Sequence, residues 1–222
     1  MYQLVVFDMA GTTVYDDDFV HHALIKAMAV FGFEVDRHEA NAIMGYPKPL
    51  AIRQMLQKRG ANVALTDVIH RCFLEQMLSF YATDPQVKPA EGAQEVFERL
   101  RTAGIRVALN TGFSRDIAAT IVERLSWQRQ VDAWVASDMV DRGRPHPDMI
   151  RHLMHRLKVS DPAGVVKVGD TPVDIEEGRN AGVGLVLVVS NGAYSAEELS
   201  CHRPDYVVAD LKETLHHILP TS

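Results

Sequence analysis

Cysteine is scarce in this sequence. Its 222 residues hold two, Cys72 and Cys201, far apart and in no CxxC pair, which reads as two free thiols in a reducing compartment. Basic residues are also in deficit. The 23 Lys and Arg stand against 29 Asp and Glu, a net charge of −6. That argues against a generally basic surface for nucleic acid or anionic membrane, though not against a local positive pocket. Long apolar runs are missing, and none approaches the roughly 18 residues a membrane helix needs. The opening MYQLVVFDMAGTT carries neither a basic leader nor a cleavable apolar segment. A cytoplasmic protein with no nucleic-acid or membrane partner is therefore expected. Internal repeats and low-complexity stretches are lacking too. What is present is ordinary globular material, 47% apolar and 23% charged, at a length that suits one large domain or one domain with a sizeable insertion.

Residues 3–7 (QLVVF) form a short apolar run ending in Asp8, the pattern of a buried strand with function at its C-terminal end. Similar runs lie at Arg106–Leu109, Val131–Val135, Val165–Val168, Gly184–Val189 and Tyr206–Val208. Helical patterns separate them. Ala93–Thr102 has a stop at Gly104, Ser114 can cap a helix to about Leu125, and Asp148–Leu157 fits another. Strands alternating with helices predict an α/β parallel sheet covered on both faces. From the first strand to about Pro85 no strand is expected. Phe19, Ala23, Leu24, Ala27, Met28 and Phe31 fall at helical spacing, as do Ile52, Met55 and Leu56, then Val68, Ile69, Phe73, Met77 and Phe80. This predicts an all-helical insertion over residues 15–84, with the sheet segment at 1–14 and 85–222. Such a lobe over the strand ends can close on a substrate and exclude water. The Phe19–Phe31 stripe suits either the lobe's own core or an intermolecular face.

Chemistry is concentrated at the strand ends. In VVFDMAGTTV a carboxylate follows a buried strand and precedes a glycine turn, so Asp8 can act as a nucleophile while N–H groups around Gly11 and Thr12 hold an oxyanion. KVGDTPVD sets Asp170 and Asp174 after another strand; they either cap a helix or join Asp8 in a site for Mg²⁺, a hard cation that prefers oxygen ligands. LNTGFS puts Thr111 and Gly112 at a third strand end, before a helix whose N-terminus favours an anion. GRPHPD adds Arg144, a permanent cation able to face phosphoryl oxygens.

In this order the segments resemble the four motifs of the haloacid dehalogenase superfamily. The resemblance implies a doubly wound, Rossmann-like core with an inserted helical cap. It makes Asp8 the nucleophile, Thr111 the phosphate-binding hydroxyl, Arg144 the cation at a position more often lysine, and Asp170 and Asp174 part of the Mg²⁺ site. Phosphatases of the superfamily usually carry a second Asp two residues after the nucleophile, as general acid and base. Here that residue is Ala10, which can offer a metal only its carbonyl and cannot transfer a proton.

DxAGTT with an arginine third motif resembles the phosphonatases (phosphonoacetaldehyde hydrolases) and phosphonatase-like hydrolases, whose leaving group is carbon. The likeness extends into the insertion at IMGYPKPLAI, where Lys48 matches a cap lysine that forms an imine with the substrate carbonyl. The expected activity is Mg²⁺-dependent cleavage of the P–C bond of a 2-oxoalkylphosphonate through a Lys48 Schiff base and an aspartyl-phosphate. A homodimer through the cap is also implied. The alternatives are a phosphatase for an activated ester or acyl phosphate, and a silent binding protein. Lys48 sits between Pro47 and Pro49 after a probable helix stop at Gly45, which reads as a stiffened loop.

Three positions depart from phosphonoacetaldehyde hydrolase itself. Ala51 replaces a histidine, Phe113 a tyrosine and Asp18 a cysteine. His21 or His22 is a substitute for the lost relay, or else an exposed helix residue. Asp16, Asp17 and Asp18 read as a solvated hinge and helix cap. His152 and His155 lack the further ligands of a zinc site, and His216 and His217 read as an exposed helix end.

Overall fold

The chain opens on β1 (Leu4–Asp8) and leaves at once on a helical excursion, in a computed structural model that describes residues 1–192 and 194–219. The excursion comprises α1 (Phe19–Val30), α2 (Arg37–Asn41), α3 (Lys48–Lys58) and α4 (Thr66–Thr83). Next come α5 (Ala93–Thr102), β2 (Arg106–Thr111), α6 (Arg115–Arg124), β3 (Ala133–Ala136), α7 (Asp148–Arg156), β4 (Val165–Gly169), α8 (Pro172–Ala181) and β5 (Leu185–Val189). The last elements are α9 (Ala196–Ser200), β6 (Tyr206–Val208) and α10 (Thr214–Ile218).

All strand pairs are parallel, in the order β3-β2-β1-β4-β5-β6. The winding runs outward from β1 in one direction and from β4 in the other. A crevice opens where it reverses, above the C-terminal ends of β1 and β4. This is the doubly wound α/β sheet with inserted helices that the sequence predicts. The third strand starts at Ala133 rather than Val131, while the second runs on to Thr111. Such shifts at element ends are expected from fraying.

Alternation along β1 sorts its side chains to two cores. Val5 and Phe7 join Val96, Phe97 and Ile117 on one face, and Leu4 and Val6 join Met149, Ile150 and Ile175 on the other. The first cluster continues into the excursion through Leu24, Ile52, Phe73 and Met77, so the apolar stripe of α1 is spent chiefly on that core. Phe19 packs on Phe80 with ring centroids 4.4 Å apart. Where the excursion leaves and rejoins the sheet, its two connectors are bonded to one another. Tyr15 N–H donates to the Lys88 carbonyl (3.1 Å) and Ala90 N–H to the Thr13 carbonyl (2.8 Å). No helix among the described residues is long and apolar enough to cross a membrane.

Phe97 sits edge-on between Phe7 (5.6 Å) and Trp127 (5.3 Å), all three buried. Phe97→Ala should cost about 3–5 kcal/mol, because the cavity left under β1 and β2 can only partly collapse. Urea unfolding should show a lower midpoint at an unchanged slope.

Candidate active site

The turn after β1 is built around one carbonyl. Met9 O accepts the N–H groups of Thr12 (3.2 Å), Thr13 (2.9 Å) and Val14 (2.8 Å). Gly11 has φ +84°, and a Cβ there would stand 2.4 Å from Asp170 Oδ2, so both backbone hand and space demand glycine. The N–H groups expected to hold an oxyanion are already committed. Gly11 donates to the Val14 carbonyl at 3.0 Å and Thr12 to Met9, because the tight turn consumes them. Thr12 acts instead through its hydroxyl, which donates to Asp170 Oδ1 at 2.8 Å.

At the end of β4 the GDTPVD segment does cap a helix, and the cap leaves Asp174 facing the charged cluster. Thr171 is the N-cap of α8 and Pro172 its first residue, where a missing N–H costs nothing. Asp174 Oδ2 accepts the Thr171 N–H (3.2 Å) and hydroxyl (2.6 Å). Its Oδ1 faces Arg144 Nη1 at 3.1 Å and Lys167 Nζ at 2.9 Å. One turn on, Glu177 receives Arg144 Nε (3.1 Å), Lys167 (3.2 Å) and the Asn110 amide (2.8 and 2.9 Å). Arg144 Nη2 then donates to Asp8 Oδ1 at 2.7 Å and to Asn110 Oδ1 at 2.6 Å.

Four buried carboxylates, Asp8, Asp170, Asp174 and Glu177, thus surround two buried cations, Arg144 and Lys167. Burial pushes Asp8 upward, with Arg144 partly offsetting it. Burial and the neighbouring Asp8 and Asp174 push Asp170 well above the ordinary carboxylate range. For Asp174 burial is outweighed by Arg144 and Lys167, which hold it at about 2. With all four carboxylates ionised, two negative charges are left uncompensated, and they lie where oxygens of Asp8, Asp170 and Asp174 come within 4.8 Å of one another. A surplus of this size on a cluster of hard oxygen donors fits a divalent cation. Among the described residues no backbone N–H engages the Ala10 carbonyl, so it is available as a further ligand.

The excursion meets this floor through a loop seated on glycines. A Cβ on Gly112 would lie 2.7 Å from the Gly45 carbonyl and 2.8 Å from that of Tyr46, and one on Gly143 would lie 2.5 Å from Pro47 Cγ. Lys48 follows directly. It is not in a stiffened loop, as its two prolines suggest, but is the first residue of α3, with Pro47 as N-cap and Pro49 in the first turn. Proline suits those positions because the first helical N–H groups have no intrahelical partner.

The Lys48 side chain is 4% exposed. Its ammonium has no carboxylate within 4 Å among the described residues; it lies 3.5 Å from the Tyr46 carbonyl and 5.9 Å from the Phe113 ring centre. Burial, and secondarily Arg144, lowers its pKa to about 8 despite Asp8 and Asp16. Asp8, Gly11, Lys48, Thr111, Gly112, Arg144 and Asp170 line one cavity of about 210 Å³. Thr111 Oγ1 accepts the Phe113 N–H at 3.2 Å, which leaves its own proton free.

The remaining candidates separate. His21 is buried on the cavity wall, whereas His22 is exposed. Asp16 does cap α1, accepting from Phe19 N–H at 2.8 Å, but it is half-buried, and Asp18 is bound by Arg37 at 2.7 Å rather than solvated. His155 and His216 are exposed on α7 and α10, and His217 stacks on Tyr206. Ser114 takes the N-cap position of α6 without making the capping bond. Sequence reasoning passed over Lys167, Asn110 and Glu177. Lys167 had a signal, a charge in the middle of the apolar run VVKVG. Glu177 lies three residues after Asp174 on one helix face.

A family model of haloacid dehalogenase-like hydrolases matches residues 2–182. The chain is 31% identical to the phosphonoacetaldehyde hydrolase of Bacteroides fragilis over 211 residues, 88% of this chain and 80% of that protein. It is 34% identical to the phosphonoacetaldehyde hydrolase of Bordetella avium over 203 residues, 83% and 71% of the two chains. The crystal structure of a phosphonoacetaldehyde hydrolase-like protein from Oleispira antarctica superposes with a TM-score of 0.87 at 25% identity, covering 98% of this chain and 91% of that one.

Adding Mg²⁺ to the metal-free protein should raise its melting temperature, since a ligand that binds only the folded state stabilises it by mass action. In Asp170→Asn most of that gain should vanish, as read by differential scanning calorimetry.

Proposed function

The chain belongs to the haloacid dehalogenase-like hydrolases, and on that footing we propose that it hydrolyses the P–C bond of a 2-oxoalkylphosphonate. The reading is carried by Lys48, a buried amine with a pKa of about 8 in the same cavity as Asp8. At pH 7 such an amine is about one-tenth free base, roughly 300-fold more than an ordinary lysine. That fraction is what addition to a carbonyl requires. Ala10 supports the reading from the other side, because a carbon leaving group has no oxygen to be protonated.

The free Lys48 amine adds to the carbonyl β to phosphorus and loses water, giving a protonated imine. Asp8 attacks phosphorus, and the P–C bond breaks with its electron pair passing into the imine to form an enamine. Arg144 is anchored by Asp174 and Glu177, with Nη2 against Asp8 Oδ1, and so lies beside the phosphoryl oxygens of whatever Asp8 attacks. The Thr111 hydroxyl and the Gly112 turn hold the same oxygens. Water then hydrolyses the aspartyl-phosphate, the enamine takes a proton on carbon, and hydrolysis of the imine frees the carbonyl product and Lys48. Mg²⁺ held by Asp8, Asp170, Asp174 and the Ala10 carbonyl would supply charge neutralisation for nucleophile and phosphoryl group. A homodimer through the cap belongs to the same reading.

Borohydride added with a 2-oxoalkylphosphonate should fix a reduced adduct on Lys48, located by peptide mass. Lys48→Arg should lose phosphate release by about 10³-fold or more while its circular dichroism stays native. Normal release by that variant sinks the imine. Rapid acetyl-phosphate hydrolysis indifferent to Lys48 selects the acyl-phosphatase alternative instead. Below about pH 8, kcat/KM should rise close to tenfold per pH unit as Lys48 loses its proton, then level off.

A further inference from the structure

One wall of the cavity carries groups that the proposed reaction does not use. The connector after β1 and the first turn of α1 contribute Asp16, Asp17, Asp18 and His21, with Arg37 behind them. His21 is 3% exposed. Its Nε2 lies 3.0 Å from Asn41 Oδ1, an acceptor, so Nε2 carries a hydrogen. With the hydrogen on Nε2 alone, Nδ1 is a lone-pair acceptor on a residue that lines the cavity. It has no hydrogen-bond partner among the described residues, and Asp18 Oδ1, another acceptor, is 3.5 Å away. A buried acceptor without a donor calls for one from outside the chain.

The acidic residues sharpen the demand. Both oxygens of Asp18 are taken by Arg37, at 2.7 and 2.9 Å. Asp16 uses Oδ1 on the Phe19 and Val20 N–H groups and, among the described residues, has no cationic partner within 4 Å. Burial raises its pKa, an effect that the Val20 and Phe19 N–H groups and His21 only partly offset. Three carboxylates against one guanidinium make this end anionic, while at the other end Lys48, Arg144 and the divalent cation that the carboxylate floor would hold suit a phosphonate. The complement is a molecule with a phosphonate at one end, a carbonyl between, and a positively charged hydrogen-bond donor at the far end.

We propose that Asp16 and His21 form a subsite for an ammonium group on the substrate's carbon chain, Asp16 as its counter-charge and His21 Nδ1 accepting one of its N–H bonds. The substrate class is then an amino-substituted 2-oxoalkylphosphonate. This rests on the phosphonate reading above, but its test does not depend on turnover.

Binding of 3-aminopropylphosphonate and of propylphosphonate to the Mg²⁺-loaded full chain is measured by calorimetry; neither has a carbonyl to react. The amine should bind at least about tenfold tighter. The preference should collapse in Asp16→Asn, which keeps the helix cap but not the charge, and shrink in His21→Leu. Equal binding of the two compounds overturns the subsite, as does a preference that survives Asp16→Asn. So does tighter binding of 3-hydroxypropylphosphonate than of the amine, which would make the subsite one for a neutral hydroxyl. The failure of the phosphonate reading looks different: Lys48 stays unlabelled by borohydride whichever oxophosphonate is present.

Discussion

Everything at the strand ends depends on a charge imbalance that burial makes severe. Asp8, Asp170, Asp174 and Glu177 share a buried crevice with Arg144 and Lys167, and with all four ionised two negative charges are left over. In water the surplus would be screened; at this depth it is not. The chain contains it by bonding each group to several others. Asp174 is at once a helix cap and an anchor for both cations, and Asn110 ties Lys167, Arg144 and Glu177 together. What remains unsatisfied is concentrated on Asp8 and Asp170, the two carboxylates nearest the open space. The same imbalance that fits a divalent cation therefore leaves Asp8 with one oxygen fixed on Arg144.

The amine arrives from the opposite side by a different physical route. Lys48 is brought down by shape rather than charge. Gly112 lets backbone approach backbone, Gly45 and Gly143 make room for the side chains of Thr171 and Pro47, and the paired prolines start α3 at the lysine itself. Once seated, Lys48 is stripped of water and has the Phe113 ring rather than a carboxylate as its neighbour, which lowers the cost of losing its proton. Replacement of the expected tyrosine by Phe113 is consistent with this, since a phenol there would place a polar group against the amine. Ala51, one turn along α3, leaves apolar wall where a histidine was expected.

Much of this was legible from residues alone. The strand positions, the parallel sheet, the helical insertion and the strand-end placement of Asp8, Thr111 and Asp170 follow from apolar period and the punctuation of Gly, Pro and Thr. Three kinds of information were not. Hydrogen-bond commitment was hidden, so the N–H groups of Gly11 and Thr12 seemed free when the turn had already used them. Long-range charge pairing was hidden as well; nothing in the sequence places Asp174 and Glu177 beside Lys167. Local helix starts were misread at Lys48, because proline before and after a residue suits a stiff loop and a helix N-terminus equally well.

The bonded connectors at Tyr15–Lys88 and Thr13–Ala90 have an architectural consequence. Both ends of the helical excursion enter and leave through one short backbone clasp, so the pairing of the strands beneath does not run through what is hung between them. A lid could be lengthened, trimmed or exchanged there without re-registering a single strand. Selectivity can therefore drift by graft and replacement in the excursion while the strand-end platform stays as it is.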